Sequence, residues 1–372
     1  MRPHLPPAVA AAIERCARPS LVFERAVLAA NMRRVADAAH AHGIRALFAA
    51  KSFAHPEVLA LAGELLDGFD VASPGELAAV SRAKIISIAD PTGAAIATAA
   101  GAHGAHITHG ARTIVSCETP EQAAAAPPHA EIAIRISASL LGRDPAIGAV
   151  LDGTGRRRSR FGLDDAPQIA HVRAAAQQVA NVRDAARGRP LGVHLHHGPV
   201  TATSAERFIA SAHAALALAG FEPAFLDLGG AWHGIDDLAG AFAAVRAAIP
   251  ASIELIVEPG RLYALGGGYA CGRIHAARSL GDRELRVVDL SRAAHLRWSQ
   301  PELVGYPPHP GEGRSVLFAG PTCYEEDVLG EWTVDPSHFP PEQRIVLRDI
   351  TGYAVGWNTS FGGIAPADVV LA

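Results

Sequence analysis

Eight short β-rich runs, each followed by a longer Ala-rich stretch, constrain the fold of this chain more than any other feature. The runs are ALFAAKS (46–52), GFDVASP (68–74), IISIADP (85–91), HITHG (106–110), EIAIRIS (131–137), GVHLHHG (192–198), FLDLGG (225–230) and ELIVEPG (254–260). Helical patterns lie between them. ERAVLAANMRRVADAAHAHG (24–43) places Val27, Leu28, Met32 and Val35 on one face and ends at Gly43, a C-cap residue. Pro74 stands at the expected N1 of the next helix, and Thr203 and Glu206 have capping-box spacing. Strand–helix alternation repeated eight times predicts an α/β fold of the (β/α)8 TIM-type barrel class. An open doubly wound sheet competes, but usually has fewer strands. In a barrel the chemistry sits at the C-terminal strand ends. Here those ends carry Lys51, Asp70, Asp90, His109, Arg135, His196, Gly229, Gly230 and Glu258.

After Arg261 the helical periodicity fades, and GGGYACGRIHAAR, RELRVVDLSR, RSVLFAG and RIVLRDITGYAVG look like strands joined by Gly and Pro turns. The expected organisation is therefore a barrel over 21–261 and a β domain built from 262–372 with residues 1–20. Gly266–Gly268 are expected in a turn. The segment 138–160, long and Gly-rich, has the look of a loop over the barrel mouth. Its Arg156–Arg157–Arg158 run lacks interleaved aromatics, so a solvated loop is expected there. Net charge is −4, which gives no basic field for nucleic acid or anionic lipid. No apolar stretch approaches the roughly 20 residues of a membrane span. The N-terminus, with Glu14 and Arg15, lacks the apolar core of a signal peptide. Cys16, Cys117, Cys271 and Cys323 show neither pairing nor metal-ligand spacing, and a reduced cytoplasm is expected.

Almost every basic residue is arginine; the only lysines are Lys51 and Lys84. A lysine amine can lose its proton and form an imine, which an arginine cannot. Removing the α-carboxyl group of an amino acid leaves an electron pair on Cα that no side chain can hold. An electron-sink cofactor is needed, held by a lysine imine, with a carboxylate keeping its ring nitrogen protonated. Its phosphate needs glycine-turn N–H groups and an arginine. Lys51, Glu258, Gly229–Gly230 and Arg261 meet these needs at strand ends, and His196 can lie flat on a ring. The plainer readings are a snorkelling Lys51, a chance-retained Lys84, a Glu258–Arg261 salt bridge, and a metal site at His194, His196 and His197. No carboxylate or cysteine spacing supports that metal site, and none is expected.

The motifs FAAKSF, GFDVASPGEL, IRI, SRFGL, HLHHG, DLGGAW, EPGR, GPTCYEED and TGYAVGWNTSFGG occur in order between residues 21 and 363. This pattern resembles the alanine-racemase-fold (fold type III) pyridoxal-phosphate decarboxylases, the group of ornithine, arginine and diaminopimelate decarboxylases. The resemblance implies pyridoxal 5'-phosphate on Lys51, His196 stacked on its ring and Glu258 at its pyridine nitrogen. Asp70, Arg135, Gly229, Gly230, Gly260, Arg261 and Tyr353 would complete the cofactor site, with Gly230, Arg261 and Tyr353 on the phosphate. Cys323 would return a proton to Cα, reaching the partner's site in a head-to-tail homodimer with shared active sites. Tyr324, Asp327, Phe361 and Arg297 would meet a small-molecule amino-acid substrate. Three positions depart from the family. Pro199 replaces a phosphate-binding serine, a loss on the order of 1.5–3 kcal/mol unless Thr201 or Thr203 compensates. Ala231 replaces the third glycine of a GGG turn, and Tyr324 replaces an acid that grips a distal amine. Arg297, in VVDLSRAAHLRWSQPEL, stands about where diaminopimelate decarboxylases bind a distal carboxylate. A carboxylate-bearing substrate is therefore expected, diaminopimelate-like or an intermediate of siderophore or other secondary metabolism. Cys323 as a core cysteine and Arg297 as an interface arginine are the plainer alternatives. The competing functions are a racemase on the same fold, in which an arginine rather than Glu258 would meet the ring nitrogen, and a decarboxylase-like regulator without catalysis.

Overall fold

The computed structural model describes residues 5–80, 83–101, 110–137, 150–151, 157–158, 161–163, 170–196, 204–305 and 313–372. The chain forms two compact units, Met32–Leu262 and Met1–Asn31 with Tyr263–Ala372. Residues 21–31 thus group with the β unit, because Ser20–Phe23 is a strand of its sheet.

In the first unit eight parallel strands close into a barrel: β1 (Ile44–Ala49), β2 (Gly68–Val71), β3 (Ile85–Ile88), β4 (Arg112–Cys117), β5 (Glu131–Ser137), β6 (Leu191–His196), β7 (Phe225–Asp227) and β8 (Glu254–Val257). Seven fall on the expected runs. The fourth is a correction: the barrel uses RTIVSC, whose interior is wholly buried, rather than HITHG. Residues 106–109, including His109, lie outside the described residues.

Local sequence explains the intervening helices. Pro56, Pro74 and Pro120 each occupy the first helical turn, where a missing N–H costs nothing. Ser73 Oγ accepts from Glu76 N at 3.2 Å, and Thr119 with Gln122 forms a full capping box. The helix Ala205–Ala219 is a second correction: its N-cap is Ser204, and Thr203 lies outside the described residues. Gly43, at φ +66, closes the turn after the helix Arg25–His40. Of the 138–160 loop, only 150–151 and 157–158 are described, as a two-residue antiparallel pair.

The barrel interior is filled by Leu47, Ile85, Ile114, Ala133, Phe225 and Ile256, all buried. Phe225 fits because its neighbour on β6 is Gly192: a Cβ there would lie 2.3 Å from the ring. At the N-terminal strand ends Arg112 pairs with Glu131 at 2.8 Å and Glu254 at 2.5 Å, and Arg45 pairs with Glu254 at 3.2 Å. This charged ring lies opposite the catalytic end of a barrel, the face that serves stability.

The second unit is an eight-stranded sheet centred on the long strand Gly268–Leu280, which pairs with Ser20–Phe23, Arg283–Val288 and Arg344–Arg348. Ser20–Phe23 also runs parallel to Asp368–Leu371, so both ends of the chain are tied into one sheet. Val9, Ala12, Ile13 and Cys16 of the N-terminal segment pack against Val22, Cys271 and Val346.

Candidate active site

The C-terminal mouth of the barrel collects charge that burial makes costly unless it serves a purpose. Lys51 sits in a single helical turn directly after β1, and its Nζ donates to Asp70 Oδ2 on β2 at 2.6 Å. Asp70 is 1% exposed, and among the described residues its Oδ1 has no hydrogen-bond partner. Glu258, directly after β8, is also buried, and among the described residues the neighbour of its carboxyl is the Asp227 carboxyl. Burial first, then the neighbouring Asp227 and Asp70, push the Glu258 carboxyl well above the usual carboxylate range. Asp227, at the end of β7, is pushed up to about 6, mainly by burial. Two adjacent buried carboxyl groups cannot both ionise cheaply, so the pair holds a proton until a cation arrives.

His194 and His196 come from β6, with ring centroids 6.5 Å apart. His194 Nδ1 and Ser116 Oγ lie 2.5 Å apart across the barrel, and His194 Nε2 is 3.7 Å from Glu258 Oε2. Burial, then the charges of Arg135, His196 and Lys51, keep His194 far below its ordinary value, so it is neutral. Arg135 on β5 is buried, pairs with Glu118 Oε1 at 3.3 Å and lies 4.7 Å over the Phe161 ring. Donor atoms of His194, His196 and Glu258 lie within 4.8 Å of one another. The cationic Lys51 and Arg135 beside them oppose a metal ion there, whereas a protonated ring nitrogen needs only the one carboxylate.

The turn after β7 is tight and glycine-dependent. Gly229 adopts φ +62, and a Cβ there would lie 2.4 Å from Leu195 O. Gly229 N donates to Asp227 Oδ1 at 2.8 Å, and Trp232 Nε1 donates to Gly229 O at 2.8 Å. Behind the turn Trp232 stacks on Phe208, centroids 3.7 Å apart. Ala231 takes a left-handed φ of +72, a conformation that favours glycine, which is the cost of departing from GGG. Glu258 N donates to Gly229 O at 2.8 Å, so the turns after β7 and β8 are joined. His233, in the β7 turn, is held below its ordinary value by burial and by the charge of Arg261, which follows Gly260. Pro199, Thr201 and Thr203, and His197 with them, lie outside the described residues.

In the β unit, the loop 291–299, the turn 320–327 and the segment 351–363 gather the remaining expected residues. Arg297 lies 4.8 Å over the Trp357 ring, Tyr324 is edge-on to Phe361 at 5.9 Å, and Trp298 stacks on Tyr353 at 5.8 Å. Trp298, Tyr324, Trp357 and Phe361 are each more than two-fifths exposed, and Cys323 is exposed too. Tyr324 Oη donates to Glu326 Oε2 at 2.7 Å; that bond raises the phenol's pKa while Arg297 lowers it. Asp327, expected at the substrate, is instead buried, with both oxygens accepting bonds from its own chain.

Sequence reasoning missed Asp227, Ser116, Glu76, Trp298 and Trp357. Glu76 lies near Lys51 and Asp70; its Oε2 accepts from Ala72 N at 2.8 Å, and burial raises its pKa. Its signal was the Ser73–Pro74–Gly75–Glu76 cap itself. Asp90 is committed to capping: it accepts from Thr92 N at 2.8 Å and Ala95 N at 2.7 Å. Lys84 is exposed.

The buried acids, the lysine beside them and the tight glycine turn after β7 fit a phosphorylated pyridine aldehyde. Comparison with known proteins agrees. A family model described as pyridoxal-dependent decarboxylase, pyridoxal binding domain, matches residues 26–265. Lysine/ornithine decarboxylase from Vibrio vulnificus, solved with putrescine, superposes with a TM-score of 0.74 at 16% identity, covering 98% of this chain and 97% of that one. The arginine decarboxylase of Paramecium bursaria Chlorella virus, bound to agmatine, gives 0.75 at 15% identity over 98% and 99%. Lysine decarboxylase from Selenomonas ruminantium gives 0.72 at 21% identity over 99% and 96%. These structures share the fold. No curated protein matches the sequence. Among the described residues no helix is long and apolar enough to cross a membrane.

Proposed function

The chain belongs to the pyridoxal-dependent decarboxylase family, and on that premise we propose that it decarboxylates an amino acid carrying a distal carboxylate, with Lys51 holding pyridoxal 5'-phosphate. The observation that carries this reading is the convergence of the Lys51–Asp70 ion pair and the buried Glu258 carboxyl in one barrel mouth. When bound, the cofactor supplies the electron sink for the pair left on Cα. Glu258, with Asp227 beside it, holds a proton where the ring nitrogen would lie. Neutral His194, whose Nδ1 meets Ser116 Oγ, lies 3.7 Å from that carboxylate. His196 offers a ring face, and Arg261 with Gly230 of the turn after β7 offers phosphate donors. Cys323 delivers the proton to Cα, Tyr353 contributes to the phosphate site, and Arg297, Tyr324 and Phe361 receive the side chain.

Tyr324 in place of an acid leaves no carboxylate for a distal ammonium at that position, whereas the Arg297 guanidinium is exposed and suits a distal carboxylate. A homodimer sharing its sites, and a cytoplasmic setting, belong to the same proposal. Glu258, a carboxylate and not an arginine, weighs against a racemase. The test is turnover in heavy water with pyridoxal phosphate and a panel holding ornithine, lysine, arginine, diaminopimelate, glutamate and carboxylate-extended diaminopropionates. Loss of carbon dioxide with one deuterium gained at Cα supports a decarboxylase and names the substrate class. Deuterium gained with the carboxylate retained means a racemase.

A further inference from the structure

Asp327 is 2% exposed, yet no cation lies against it among the described residues; four N–H and O–H donors meet its charge through five contacts instead. Oδ1 accepts from Ser291 Oγ at 2.9 Å and Ala293 N at 3.1 Å. Oδ2 accepts from Thr322 Oγ1 at 2.6 Å, Ser291 Oγ at 3.0 Å and Thr322 N at 3.3 Å. The backbone closes the same turn: Asp327 N donates to Tyr324 O at 2.9 Å, and Gly320 N donates to Asp327 O at 2.7 Å. Only glycine fits at 320, since a Cβ would lie 2.2 Å from Oδ2.

One side of this carboxylate therefore holds the loop that leads to Arg297, and the other holds Thr322, the residue before Cys323. The Arg297 loop is a hub in its own right. Ala294 O accepts from Thr359 N at 3.0 Å, His295 Nε2 bonds to Ala365 O at 3.1 Å, and Ser299 Oγ accepts from Thr351 N at 3.1 Å. Ser291, His295 and Ser299 are each 1% exposed or less. Every segment of this unit that carries an expected substrate residue is thus tied to one buried polar network.

We propose that Asp327 is a positioning residue: it locks the Cys323–Tyr324 turn to the Arg297 loop, so that one buried carboxylate sets both the proton donor and the side-chain anchor. This rests on the reading of Cys323 as proton donor. The consequence is chemical rather than only structural. A donor displaced by about 1 Å can cost on the order of 10²-fold in rate. A proton delivered to the cofactor's carbon instead of Cα would leave the substrate carbon doubly bonded to nitrogen; hydrolysis by water would then release a carbonyl compound, its oxygen coming from the water, and leave the nitrogen on the cofactor as an amine.

The test uses the cofactor-loaded enzyme and the variants Thr322→Val, Thr322→Ser, Ser291→Ala, Asp327→Ala and Cys323→Ala. The readouts are kcat, KM and the carbonyl-to-amine product ratio; iodoacetamide labelling of Cys323 in the cofactor-free protein adds a readout independent of turnover. Thr322→Val is near-isosteric and deletes one charge-assisted bond. It is expected to lower kcat about tenfold, raise the carbonyl fraction and speed Cys323 labelling, while Thr322→Ser restores all three. Ser291→Ala is expected to raise KM as well, because it also releases the Arg297 loop, and Asp327→Ala is expected to do both more strongly. If Cys323→Ala raises the carbonyl fraction but Thr322→Val and Ser291→Ala leave the ratio and the labelling rate unchanged, the clamp is refuted and the donor stands. If Cys323→Ala leaves the ratio unchanged, the donor assignment fails and the clamp's role falls with it.

Discussion

Replacing Asp227 with Asn should make the cofactor-free protein more stable, and increasingly so as pH rises. The Asp227 carboxyl, ordinarily at 3.8, stands at about 6 in the folded chain, mainly because it is buried, with Asp70 adding repulsion. The folded state therefore binds this proton more tightly than the unfolded chain does. That contribution is complete below pH 4 and is lost as pH rises through about 6. A shift of about two units corresponds to about 3 kcal/mol lost by pH 8, about half of it already by pH 5. Asparagine keeps an oxygen for Gly229 N and cannot ionise, so it avoids the loss. Urea unfolding of both cofactor-free proteins at pH 5 and pH 8 should show the variant gaining on the order of 1–2 kcal/mol on the wild type across that interval. Added pyridoxal phosphate should narrow the gap, because a cationic ring nitrogen relieves the same repulsion. A stability difference that stays flat or shrinks from pH 5 to pH 8 would refute the proton-holding pair.

Three further outcomes are expected. Glu258→Gln should lower kcat on the order of 10²–10³-fold while the protein still takes up cofactor, since it removes the charge that keeps the ring nitrogen protonated; a tenfold loss or less, measured under saturating cofactor, would contradict that role. Arg297→Ala should raise KM for a carboxylate-bearing substrate about 10- to 100-fold, the worth of a charge-assisted contact, with little change in kcat; an unchanged KM would remove Arg297 from substrate recognition. Arg112→Leu breaks pairs with Glu131 and Glu254, whose side chains are 20% and 28% exposed. At that exposure the loss should be about 1–2 kcal/mol of stability, with kcat and KM unchanged because the ring lies at the opposite end of the barrel; a change in kcat would contradict that separation.

The barrel was legible because its signal is local: a short run of β-branched residues, a turn residue and an amphipathic helix, repeated. The one misplaced strand shows the limit of that signal. HITHG ends in a polar residue and a glycine, as catalytic strands do, whereas RTIVSC reads as a plain strand that opens with Arg112 and is followed by Glu118. Lys51, Glu258 and the Gly229–Gly230 turn stood out because strand ends are fixed in sequence. Their mutual electrostatics did not. Ser116 meets His194 across 78 residues, and Asp227 meets Glu258 only because β7 and β8 pair. Asp327 was taken for a substrate contact because a motif gives a residue's position and not the direction of its side chain. Only the packed turn shows Ser291, Ala293 and Thr322 converging on it. Trp298 at φ +69 and its stack on Tyr353 had no sequence signal, since tryptophan rarely adopts that conformation.

The most direct measurement uses the scarcity of lysine. The cofactor-loaded protein is reduced with borohydride, digested and mapped by mass for a pyridoxyl group. The chain offers two lysines, Lys51 in the barrel mouth and Lys84 on the exposed surface, so the result separates cleanly. A stoichiometric adduct on the peptide containing Lys51, lost in Lys51→Ala, is the predicted result. An adduct confined to Lys84 or the terminal amine, or none at saturating cofactor, would contradict cofactor attachment at Lys51 and the site built around it.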